Sequence, residues 1–142
     1  MEDKVFGELT FRYGWIKTEE LTFNGQTFEI RIRTSSKKDD VPTKNQQDSY
    51  IKYQNEKDSV LKSEDKNIRD FVMSYSGDIS DVLGVQNIDN PLSFLTPKEI
   101  LFFQNGKYAY IFDTEWSEAG MAILCSPDKI QIGESYILEF EY

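Results

Sequence analysis

The stretch TKNQQDSYIKYQNEKDSVLKSEDKNIRDFVMSYS, residues 43–76, decides how the chain is read. Across 34 residues it contains neither glycine nor proline, and it is bracketed by Pro42 and Gly77. Such a run predicts helix. Thr43 followed three residues later by Gln46 fits a capping box, and Gly77 is placed to close the segment in a left-handed conformation. Tyr50, Tyr53, Lys57, Val60, Glu64, Ile68, Phe71 and Tyr75 recur at steps of three or four, so Tyr50 and Tyr53 read as part of a packed face. Asp48 with Lys52 and Asp58 with Lys62 add pairs four apart. Because Ser63 and Asp65 can cap a second helix, the pattern fits one long helix or two in series. A further short turn is expected over Ile79–Leu83, with Asp78 as cap and Gly84 as stop. Residues 34–66 hold only six apolar side chains, which places that part of the segment at the surface.

Strand signals flank this segment. Val5, Leu9, Phe11 and Tyr13 share one parity, and Phe28, Ile30 and Ile32 alternate with Glu29, Arg31 and Arg33 as in a half-buried strand. Asn24-Gly25 suits a tight hairpin turn between Leu21-Thr22-Phe23 and that strand. After the helix, Thr96-Pro97-Lys98-Glu99 reads as a capped single turn and Ile100-Leu101-Phe102-Phe103 as a buried strand. Asn105-Gly106 offers a second hairpin turn into Tyr108, Tyr110 and Phe112. Met121–Cys125, Ile130–Ile132 and Tyr136–Tyr142 complete the set. The order of strands, helix and strands argues for an α+β fold: an antiparallel sheet from both ends of the chain, packed on the central helix or helices. With 142 residues, of which 39% are hydrophobic, residues 1–142 form one domain. Its strands are expected over about 5–33 and 99–142, and its helical part over about 43–83.

Composition excludes several chemistries. The chain has no histidine, which removes Ser-His-Asp and Cys-His catalytic groups and His-ligated zinc. Its single cysteine, Cys125, allows no internal disulfide or thiolate cage, and in Ala122-Ile123-Leu124-Cys125 it reads as a small buried hydrophobe. The eight glycines form neither GxGxxG nor GxxxxGK[ST], so no nucleotide-phosphate cradle is expected. Neither a cofactor nor a metal site follows, and the chain reads as non-enzymatic. The charged start Met1-Glu2-Asp3-Lys4 lacks the form of an export signal, and no apolar run reaches the ~20 residues of a membrane span. A cytoplasmic protein without membrane contact is the expectation.

Charge is distributed unevenly. Of the net charge of −9, residues 77–142 carry −8, with three basic and eleven acidic side chains. A polyanion needs cations to displace its counterions, so nucleic acid is not the expected partner. Within the acidic part, Asp113-Thr114-Glu115-Trp116-Ser117-Glu118-Ala119-Gly120 places three carboxylates and a tryptophan in one loop. Asp113, Glu115, Trp116 and Glu118 are the candidate partner-binding residues, with complementary charge around an aromatic anchor. The bland alternative is a solvated acidic loop whose tryptophan packs back on the core. As oxygen ligands, 113, 115 and 118 lack the spacing of an EF-hand.

Val5-Phe6-Gly7-Glu8-Leu9 followed by Trp15, together with Leu95-Thr96-Pro97, Ile100, Gly106-Lys107-Tyr108, Phe112-Asp113, Trp116 and Gly120-Met121-Ala122-Ile123, resembles a group of small bacterial proteins of unassigned function. Some members are similar to the immunity proteins of polymorphic toxin systems. The resemblance covers the two ends, about half the chain, and implies a fold and a protein partner but no catalytic residues. The expected function is therefore that of a protein-binding domain, an immunity protein neutralising a basic toxin domain through an acidic surface. The alternative is a small-molecule or carbohydrate-binding domain, or a hydrolase, using aromatics and carboxylates at one end of the sheet. A deep pocket joining two of the carboxylates would favour that alternative. Nothing in the residues decides the oligomeric state.

Overall fold

A computed structural model describes residues 1–142. The alternating segments form strands β1 (Glu2–Asp3), β2 (Gly7–Glu8), β3 (Thr10–Phe11), β4 (Trp15–Phe23) and β5 (Gln26–Thr34) before the helices. Strands β6 (Leu95–Phe102), β7 (Tyr108–Thr114), β8 (Ser117–Cys125) and β9 (Ile130–Glu134) follow them. β1 and β2 make a small ribbon, and the other seven strands form one sheet in the order β3-β4-β5-β6-β7-β8-β9. The fold is α+β.

Every neighbouring pair in the sheet is antiparallel except β5 and β6, which run parallel. Topology requires that exception: adjacent parallel strands cannot be joined by a hairpin, and the helical segment is the crossover that joins them. The β4–β5 turn is the expected hairpin, with Phe23 opposite Gln26 and both Asn24 (φ 52°) and Gly25 (φ 73°) in the left-handed region.

The helical part is two helices in series, α1 (Lys44–Ser63) and α2 (Asp65–Met73), separated at Glu64 between the expected Ser63 and Asp65, and the short turn expected over Ile79–Leu83 is the end of a third, α3 (Ser76–Leu83). The capping box forms as read: Thr43 Oγ1 accepts from the Gln46 amide at 3.2 Å and the Gln46 side chain accepts from the Thr43 amide at 2.9 Å. Gln46 is fully buried because its Nε2 also donates to the carbonyls of Ser35 and Phe102, both at 3.1 Å. One side chain thus starts the helix and fixes it to β5 and β6. Gly77 does not close a helix; it lies in the first turn of α3, and Gly84 (φ 70°) supplies the left-handed stop.

Three further expectations change. Tyr136–Tyr142 is not a strand: the chain leaves β9 in the 3₁₀ turn Ser135–Leu138, and residues 139–141 continue as turn. Thr96–Glu99 is not a helical turn but the start of β6, with a bulge between Pro97 and Glu99 that spares the sheet a missing proline donor. At the N-terminus the parity is broken by Gly7 (φ 86°), so Phe6 and Leu9 are buried while Tyr13 is exposed.

The helices cover one face of the sheet. Tyr53, Ile68, Val72 and Ile79 meet Ile32, Phe102, Tyr110 and Ile123 in the main core. On the opposite face Leu101, Phe103, Ala109, Ala122 and Leu124 are covered by Leu138 of the 3₁₀ turn Ser135–Leu138. No helix is long and apolar enough to cross a membrane.

Candidate functional site

The acidic loop is the tip of the β7–β8 hairpin. Thr114 pairs with Ser117, and the Thr114 hydroxyl donates to the Ser117 carbonyl at 2.8 Å, leaving Glu115 and Trp116 as the turn. The Glu115 amide donates to the Phe94 carbonyl at 3.1 Å, tying the tip to the 3₁₀ turn Pro91–Phe94. Asp113, Glu115 and Glu118 point into solvent. Trp116 does not: it is 6% exposed, stacked on Tyr75 with ring centroids 5.5 Å apart and 6.4 Å from Phe71.

That geometry corrects the four-residue reading. A tryptophan already buried between the hairpin and the end of α2 cannot anchor a partner, and its role is to hold the hairpin on the helical layer. Asp113 lies 3.8 Å from Lys98, so part of its charge is met locally. The three carboxylates do not converge into a metal-ligating group, and they line none of the larger surface cavities. They form a solvated rim.

The cation beside that rim is Lys98, paired with Asp113, whereas Lys107, at the far end of β7, pairs with Glu141 at 2.9 Å. Glu99, the one deeply buried carboxylate of this part, is held by Arg33 at 2.6 Å and 3.2 Å. Asp78, Glu115 and Glu118 have no cationic partner. Tyr75 joins this region from below, donating to Glu134 at 3.0 Å. Burial raises its pKa, and the bond to Glu134 and the nearby charge of Asp78 raise it further.

Three other polar clusters escaped sequence reasoning. Glu19 on β4 accepts from the Tyr50 hydroxyl and from Gln54 Nε2 at 3.0 Å and pairs with Lys17 at 2.9 Å, while Lys17 stands 4.9 Å over the Tyr50 ring. The partners come from elements more than 30 residues apart, so no local spacing announces them.

Inside the core, Tyr108 donates to Glu56 at 2.9 Å, and the Tyr53 and Tyr110 hydroxyls are buried without a partner. Cys125 lies beside Tyr108, and burial pushes its thiol up to about 12. A protonated, enclosed thiol is a poor nucleophile.

The third feature is a groove between α2 and β9. Ile130, Ile132 and Phe71 form its apolar part and Glu64 and Asp70 its rim, in a volume of about 420 Å³. It continues past Glu56, Asp128 and Lys129 into a second, more polar volume of about 510 Å³. The alternating Ile130 and Ile132 and the helix itself were legible, but not that α2 lies opposite β9. Comparison of the chain with protein-family models, with curated proteins and with solved structures finds no match.

Proposed function

We propose that the chain is a non-enzymatic protein-binding domain that neutralises a basic partner, an immunity protein of a bacterial, cytoplasmic toxin system in the sense of the resemblance described above. The observation that carries this reading is the exposed carboxylate rim of Glu115, Glu118 and Asp113 on a hairpin braced from beneath by Trp116. Charges held on a rigid support and facing solvent steer an oppositely charged protein and raise its association rate. Toxin domains that act on nucleic acids carry positive clefts, which such a rim would occlude. The carboxylates stand outside every larger cavity, which favours a protein surface over a sugar or small molecule as the occupant.

The test uses a basic toxin-like domain as the partner, sought first in the reading frame next to this gene. Substituting Asp113→Asn, Glu115→Gln and Glu118→Gln together should weaken binding roughly 10-fold, mostly through slower association. Raising salt from 0.1 M to 1 M shortens the screening length from about 10 Å to about 3 Å and should remove most of that difference. Unchanged affinity, with unchanged salt dependence, ends the proposal.

A further inference from the structure

The sheet has two edges, and they are built differently. At one edge β3 covers only two residues of β4, and the rest of that edge, Lys17–Phe23, carries Lys17, Glu19 and Glu20. Charges on an edge strand discourage pairing with another chain. At the other edge β9, Ile130-Gln131-Ile132-Gly133-Glu134, has no proline and no charge before its last residue.

The hydrogen-bond phase of β9 follows from its hairpin. The Ser126 amide donates to the Lys129 carbonyl at 2.9 Å, making these two the bonded pair that closes the β8–β9 turn. Bonded and non-bonded pairs alternate in an antiparallel ladder. Cys125–Ile130 and Ile123–Ile132 are therefore non-bonded pairs, and Leu124–Gln131 and Ala122–Gly133 are the bonded ones. The same phase, carried across β7, agrees with the Phe103 amide donating to Lys107 at 3.0 Å. Ile130 and Ile132 consequently turn their backbone N–H and C=O groups away from the sheet.

Those groups look out beside the α2 groove. A strand added to β9 would satisfy them and set alternate side chains over Phe71 and Ile132. Four carboxylates, Glu56, Glu64, Asp70 and Asp128, stand along the two joined volumes against Lys52 and Lys129; Asp70 is met by Lys66 at 2.6 Å, and Glu64 and Asp128 have no cationic partner. We propose that β9 is a docking edge that takes an extended, lysine- or arginine-bearing segment of a protein partner as an eighth strand of the sheet. This rests on the chain being a binding domain for a basic protein, and it names the part of that partner and the way it is held.

The experiment uses an acetylated eight-residue peptide alternating valine and lysine, with a valine–glutamate peptide as control. Amide hydrogen exchange is followed by NMR on the whole chain. The expected result is exchange slowed at least 10-fold at Ile130 and Ile132, with Gln131 and Gly133 already protected and unchanged. Ile132→Pro, which removes no bond to β8, should abolish binding, and Ile132→Val should retain it. No slowing at millimolar peptide, or slowing confined to other strands, overturns the proposal whether or not the proline variant folds. Equal binding of the glutamate peptide overturns the basic occupant. Neither result depends on the hairpin carboxylates, so a triple hairpin variant that still binds its toxin leaves the β9 proposal standing.

Discussion

Replacing Trp116 by alanine separates a packing role from a binding one. The indole is 6% exposed and stacks on Tyr75 where α2 ends, so truncation opens a large cavity between the hairpin and the helices. Trp→Ala changes at buried positions cost about 3–5 kcal/mol. Unfolding entropy of about 2.1 cal/mol/K per residue, taken over 142 residues, gives about 0.3 kcal/mol/K. The melting temperature should therefore fall by about 10–17 °C, read by calorimetry or by circular dichroism. Trp116→Phe keeps a ring against Tyr75 and should cost about 1 kcal/mol, or ~3 °C. A Trp116→Ala protein that melts within ~3 °C of the native chain, yet loses its partner, would refute the packing argument and restore the indole as an anchor.

Gly14→Ala places a Cβ 2.1 Å from the Thr34 carbonyl oxygen at a φ of 128°, so the variant should lose more than about 3 kcal/mol in urea unfolding. A normal midpoint would show that the Tyr13-Gly14 turn can be rebuilt. Arg33→Met leaves the Glu99 carboxylate buried with only Arg31 at 3.9 Å and should cost about 3–5 kcal/mol. Glu99→Gln and Arg33→Met together should cost less than Arg33→Met alone; a fully additive loss would contradict a coupled pair. Cys125 should resist iodoacetamide at pH 8 until the protein is unfolded. Its folded pKa lies above the free thiol's 9.0, so the folded state keeps its full stability below pH 9. Between pH 9 and about 12 the unfolded thiol ionises and the folded one does not, so stability should fall by about 1.4 kcal/mol per pH unit from this group. Cys125→Ala should flatten that slope, and an unaltered slope would assign it to the tyrosines.

Local pattern was enough for much of the architecture. The capping box at Thr43, the Asn24-Gly25 hairpin and the inward Ile30 and Ile32 are settled by neighbours within four residues, where propensity and periodicity act. Of the two helix breaks, the first falls at Glu64, between the Ser63 and Asp65 that mark it in the sequence, and the second falls at Ser74–Tyr75, just before the expected Gly77. Glu64 departs from helical geometry for a single residue, and its amide still donates to Val60. A loss so small is why the sequence marks the place of the first break and leaves one helix and two in series equally open.

At the candidate site the chemistry of the side chains and the outward carboxylates were legible, while Trp116 stood between an exposed anchor and a ring packed back on the core. Residue order alone determined that Asp113, Glu115 and Glu118 fall within six residues of one another without histidine or metal-type spacing, and that the acid excess belongs to the last 66 residues. Tertiary structure decided that Trp116 points inward, because Tyr75 and Phe71 arrive from a helix some 40 residues earlier and offer it an aromatic surface. It also decided which strand is left at the edge. Pairing partners in a sheet are chosen by burial summed over the whole chain, a quantity that no window of ten residues contains.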